Sequence, residues 1–226
     1  VLIICGRFTL TATPETISKT FCVPFDIPYS PRYNIAPGQA VPVIVGEESG
    51  RLLKAMRWGL IPHWAKDVSI GSKLINARAE TVLTKPSFRD SLRYRRRCLV
   101  PADGFYEWKR EGKKSTPYRI VLPGKEVFAF AGLWDRWDSP EGSVFSFTII
   151  TTEASESIKE IHDRMPVILS DEEEYVEWLE TGDFNALRKI LRPYEGKLHV
   201  YPVSKLVNSP KNDMPELILE DGSAEP

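Results

Sequence analysis

RCLVPADGFYEWK, residues 97–109, holds two strand-like runs, Arg97–Val100 and Gly104–Trp108, on either side of a Pro-Ala-Asp corner. β-Branched and aromatic residues fill the runs and turn residues separate them, the local signature of strands. The same signature recurs at Ile3–Leu10, Val41–Val45, Leu52–Trp58, Tyr118–Val121, Val127–Leu133, Phe145–Thr151 and Leu198–Val203. Helical signals are fewer. Thr13 followed by Pro14 predicts a cap and a first-turn proline for a helix reaching about Phe21. Ser170, with Glu173 three residues on, reads as a capping box, and Asp183 caps DFNALRKIL. Eighteen prolines, many in loops such as FDIPYSPRYNIAPGQ (25–39), favour irregular connections. The expectation is an α+β fold, mainly antiparallel sheet, in one domain covering 1–226.

The 226 residues suffice for a substantial core. No apolar run reaches the roughly 18 residues that span a membrane, and Val1–Ile4 is too short for a signal-peptide core. Cys5, Cys22 and Cys98 are odd in number and at no metal-ligand spacing, which predicts a reducing, cytoplasmic setting without a disulfide framework. The net charge of -1 hides a split. Residues 1–120 carry 20 Lys+Arg and 10 Asp+Glu, a net of +10, and residues 121–226 carry 10 and 21, a net of -11. One basic and one acidic face follow if the halves fold side by side, although solvated surface charge accounts for the same numbers.

Several polar groups sit in apolar or aromatic settings, where an unpaired polar atom is costly. Asn76 and Arg78 follow an apolar pair in KLINARAET; a turn asparagine and a surface arginine are the plain alternative. Glu107 stands between Tyr106 and Trp108. On a strand, Phe105 and Glu107 share one face and Tyr106 and Trp108 the other. A carboxyl among bulky aromatics can have a raised pKa suited to acid/base work; a salt-bridged surface glutamate is the rival. His162 closes a short helix in IKEIHDRMP, beside Asp163 and Arg164, and can move protons near neutral pH; a carbonyl-satisfied helix end explains it equally. His63 and His199 lack such neighbours. The run RYRRRC (93–98), with Trp58 and Trp64 of WGLIPHW, combines positive charge and flat rings, the means by which single strands are held without sequence preference. Core packing is the better reading for Trp58. No glycine-rich phosphate loop and no serine-centred nucleophile motif is present.

The stretches CGRF, RYNIAPGQ, WGLIPHW, INARAET, CLVPADGFYEWK, AGLW, FTIITTEA, IHDRMPVIL and YPVSKLVNSPKND span nearly the whole chain. In that order they resemble the SOS response-associated peptidase (SRAP) family, whose members crosslink to abasic sites in DNA. The resemblance implies a compact, barrel-like, mainly antiparallel fold with flanking helices. It implies Cys5 as the catalytic cysteine, Asn76 as the residue orienting amine and aldehyde, Glu107 as an aid to sugar ring opening and proton transfer, and His162 as acid/base around a Schiff base. It places Arg7, Arg78 and Arg164 against DNA or its phosphates, and Pro37 and Trp64 along a DNA channel, the Trp64 match being the looser. No metal and no cofactor is implied. The expected partner is single-stranded DNA carrying abasic sites, met by a monomer in the cytoplasm at the nucleoid, during the DNA-damage response.

A free α-amine, pKa about 8, can condense with the aldehyde of an opened abasic sugar, and the neighbouring thiolate can then close a thiazolidine. An amide nitrogen cannot. Val1–Ile4 precede Cys5, so the chain as written cannot make that ring. A misread start, an added segment and a short propeptide cut at Ile4–Cys5 all account for the four residues. Residues from about 214 to 226 are expected as a tail. Two other functions fit the residues: a thiol peptidase using Cys5 with His162, and a non-covalent binder of single strands or modified bases.

Overall fold

The Pro-Ala-Asp corner is where the chain changes sheets. The computed structural model describes residues 5–222; the expectations for Val1–Ile4 and for the last four residues lie outside them. Thirteen strands run in order: β1 (Phe8–Leu10), β2 (Arg32–Ile35), β3 (Ala40–Glu47), β4 (Gly50–Trp58), β5 (Asn76–Arg78), β6 (Arg97–Ala102), β7 (Gly104–Glu111), β8 (Lys114–Val121), β9 (Phe128–Ser139), β10 (Gly142–Glu153), β11 (Arg164–Pro166), β12 (Ile168–Leu169) and β13 (His199–Pro202). β6 belongs to one sheet and β7 to the other. Asp103 fixes the corner between them. Its carboxylate accepts from the hydroxyls of Thr9 and Thr11 and from the backbone N–H groups of Thr11 and Ala12 (3.1 Å), and it pairs with the buried Arg119. Gly104 follows because a Cβ there would stand 2.8 Å from Arg119 Nε.

One sheet is antiparallel throughout, in the order β13-β8-β7-β1-β2. In the other, β10, β4, β3, β6 and β9 close on themselves through the β9–β10 hairpin, giving a five-stranded barrel. The β10–β4 seam is parallel. β5 joins β10 in parallel, β11 joins β10 antiparallel and β12 joins β9. The expected mainly antiparallel, barrel-like α+β fold is therefore found. Aromatic rings weld the two sheets. Phe8 of β1 meets Trp58 of β4 at 5.2 Å and Phe130 of β9 at 5.7 Å, and Phe105 of β7 meets Phe130 at 5.9 Å, the first near edge-on and the other two edge-on. Such pairs add about 0.5–1.5 kcal/mol each beyond area burial. Trp58 is core, its Nε1 donating to Ile75 O.

Four helices flank the sheets: α1 (Pro14–Phe21), α2 (Pro86–Arg93), α3 (Glu172–Glu180) and α4 (Phe184–Ile190). Thr13 and Asp183 cap α1 and α4 as the sequence predicts. The capping box of α3 is shifted by one residue. Asp171, not Ser170, accepts from Glu174 N, and Glu174 reaches back to Ser170 N at 2.8 Å. Ser and Asp cap about equally well, and the backbone turns into the helix at Asp171. α2 was not expected, and β2 runs through the proline-rich stretch read as loop. His162 ends a series of hydrogen-bonded turns rather than a helix. β1 starts at Phe8, five residues later than predicted. The segment expected as a tail is tied down to Asp221: Leu217 is buried, Val203 bridges Glu220 and Asp221 N donates to Pro202 O.

Candidate active site

Pairing of β1 with β7 (Phe8 to Phe105, and Tyr106 N to Arg7 O at 3.0 Å) brings the residues before β1 alongside Glu107. Cys5 is fully buried and its backbone nitrogen donates to Glu107 Oε1 at 2.8 Å. Its φ of 43° lies in the left-handed region, which costs a non-glycine residue roughly 1–3 kcal/mol and is retained where the surroundings over-determine it. Glu107 points inward from β7, 1% exposed. Burial raises its pKa to about 8; the Cys5 N–H opposes this and the negative charge of Asp163 adds to it. Burial, then the Glu107 charge, pushes the Cys5 thiol well up. Both groups are thus favoured in their neutral forms.

His162 reaches the same place from the segment before β11. Its Nδ1 accepts Arg164 N–H at 3.0 Å, which fixes the Nε2–H tautomer. Asp163 Oδ1 is also 3.0 Å from Nδ1, a partner only for the doubly protonated ring. Burial lowers the imidazole pKa, with Asp163 acting against it, so the neutral form is the one the fold favours. Nε2 is buried and has no hydrogen-bond partner among the described residues. A cleft of about 600 Å³ is lined by Arg7, Pro37, Glu107, Trp108, Arg110, His162 and Asn208, among others. Its size is that of a small-molecule or nucleotide site.

One wall is a strap, Val207–Asp213, laid over the pocket by residues at the other end of the chain. Arg7 donates to Asn34 Oδ1 (3.1 Å), Val207 O (2.7 Å) and Asn208 O (3.3 Å). Asn34, fully buried, donates to the carbonyls of Val207, Ser209 and Asn212 at 2.8–3.1 Å. Asp213 accepts Tyr33 N (2.6 Å) and Asn34 N (3.1 Å) and pairs with Arg32. Trp108 Nε1 donates to Asn208 Oδ1 at 2.8 Å. The sequence reading missed Asn34, Trp108 and Asn208; the one signal for Asn34 was a polar residue set between Tyr33 and Ile35.

The remaining candidates, Asn76, Arg78, Arg164 and Trp64, are not among the residues that line this cleft. Asn76 and Arg78 sit on β5, in register with Ile149 and Thr151 of β10, and Arg78 is exposed. Arg164 faces inward: it pairs with Glu80 and donates to Thr151 O at 2.8 Å, at 9% exposure. Trp64 is 48% exposed and lines a separate groove with His63 and Trp137. The RYRRRC run does not form one basic face. Arg96 pairs with the buried Asp135, and Arg97 is buried, donating to Leu179 O and Thr181 O at the end of α3.

The cleft thus brings together a buried thiol whose own backbone nitrogen rests on a high-pKa carboxyl and a neutral imidazole, groups able to exchange protons. The chain belongs to the SOS response associated peptidase (SRAP) family, whose model matches residues 4–210. It is 50% identical over 222 residues to the abasic site processing protein YoqW of Bacillus subtilis (strain 168), covering 95% of this chain and 98% of that one. It is 34% identical over 260 residues to the abasic site processing protein HMCES of Xenopus tropicalis, covering 94% of this chain and 77% of that one. A crystal structure of a Bacteroides thetaiotaomicron protein matches with a TM-score of 0.87 at 27% identity, covering 96% of this chain and 100% of that one.

Proposed function

We propose that this protein captures abasic sites in single-stranded DNA covalently through Cys5 and so shields them during the DNA-damage response. The observation that carries the reading is the 2.8 Å contact between Cys5 N and Glu107. The opened abasic sugar presents an aldehyde. The Cys5 amine adds to its carbon, a proton moves to the carbonyl oxygen, and the resulting hydroxyl leaves as water to give a Schiff base. The thiolate then attacks the same carbon and closes the thiazolidine, so aldehyde and aminothiol combine with loss of one water. Glu107 takes the amine's proton and returns one to the departing oxygen. His162 presents Nε2–H to the sugar oxygen, and Asn76 orients the reacting groups. Arg78 holds phosphate, Pro37 lines the strand's path and Trp64 stacks a base farther along. Arg7 and Arg164 reach DNA with the N–H groups their internal contacts leave over.

The route requires a free amine, so it belongs to the form that begins at Cys5. The test is a denaturing gel of single-stranded DNA carrying one abasic site, incubated with the 1–226 and 5–226 forms. The 5–226 form is expected to give the crosslinked band and Cys5→Ala none. Intact mass showing residues 1–4 on the crosslinked species would overturn the thiazolidine route.

A further inference from the structure

Arg110 is a cation of the cleft with no part in building it. It lies on β7 two residues beyond Trp108, so both side chains leave the same face of the strand. Its register partner on β8 is Ser115, and both residues line the cleft. Arg7 is committed to Asn34 and the strap, and Arg164 to Glu80. Arg110 is exposed and has no hydrogen bond or ion pair among the described residues. Its charge nevertheless reaches into the site, where it disfavours a second proton on His162. Asp163 sets a negative charge near Glu107 there, and a phosphodiester approaching it needs a compensating cation. A guanidinium with a hydroxyl beside it is suited to that anion, through charge and paired N–H donors.

We propose that Arg110, with the Ser115 hydroxyl, forms a phosphodiester-binding site on the β7–β8 wall that seats a phosphate flanking the abasic nucleotide. Arg78 stands on the other sheet, so the strand is held from both sheets. The proposal rests on the DNA-capture reading and adds to it a second anchor.

Equilibrium binding of an undamaged fluorescent single-stranded oligonucleotide, measured against salt, separates the two. Each phosphate contact contributes about 0.7 to the slope of log K against log salt on a single strand. Arg110→Gln should weaken binding severalfold at low salt and reduce the slope by about that amount. Arg110→Lys should restore the slope, and Ser115→Ala should lower affinity without changing it. Lys189→Gln, at an exposed position of α4, should match wild type. A wild-type slope in Arg110→Gln, alongside salt-dependent wild-type binding, overturns this proposal alone. Wild-type protein that ignores DNA at every salt concentration overturns the parent reading as well.

Discussion

Replacing Glu107 by glutamine should make the protein more stable and less active, with a pH dependence that isolates one buried proton. The side chain keeps its shape, and its Oε1 can still accept the Cys5 N–H. The carboxyl has a pKa of about 8 in the fold against an ordinary 4.5. Between those values the folded state holds a proton that the unfolded state has released, so wild-type stability falls as pH rises through this window. At about 1.36 kcal/mol per pH unit, the group costs roughly 3 kcal/mol at pH 7 and approaches roughly 5 kcal/mol above pH 8. Below pH 4.5 it costs nothing. Urea unfolding of both proteins from pH 4 to 8.5 cancels every other titration common to them. The difference should be flat near pH 4 and widen with pH in favour of the glutamine variant. Crosslinking should slow by about 10²–10⁴-fold while binding of undamaged DNA persists. Parallel stability curves would refute the argument, because they would mean that Glu107 is hydrated and ionised in the folded protein.

Gly59→Ala should destabilise by more than about 2 kcal/mol, since φ is +119° and the new Cβ would lie 2.6 Å from Gly71 O; thermal unfolding reads this directly. Asp171→Ala should cost about 1 kcal/mol in urea unfolding as the cap of α3 is lost, and Ser170→Ala clearly less. Asn34→Ala leaves three strap carbonyls without their shared donor, at about 1–3 kcal/mol, and should expose the strap to limited proteolysis near 207–213 before the rest of the chain.

The strands were legible because β-branched and aromatic residues mark them whatever their partners, so Val41–Val45 and Leu52–Trp58 needed only lengthening. The sheet switch was not. Nothing local in PADG says that Val100 and Phe105 belong to different sheets; that is decided by Asp103 meeting residues 9–12 and Arg119. Ser170 and Asp171 are both good caps, and only the backbone path chooses between them. Cys5 and Glu107 could be singled out for their chemistry, yet their contact depends on the β1–β7 pairing, 102 residues apart. The basic run 93–97 misled for the opposite reason: charge is visible in sequence, but a buried Asp135 or the carbonyls ending α3 are not.

The strap sets an order of events in synthesis. Arg7 must wait for Val207, 200 residues later, and translation at about 5–20 residues per second makes that roughly 10–40 s. During this interval the nascent chain carries Cys5 without the wall that shapes the pocket beside it. A ribosome that stops before Val207 therefore leaves a chain whose cleft lacks one wall, and the pocket is completed only with the final residues of the fold.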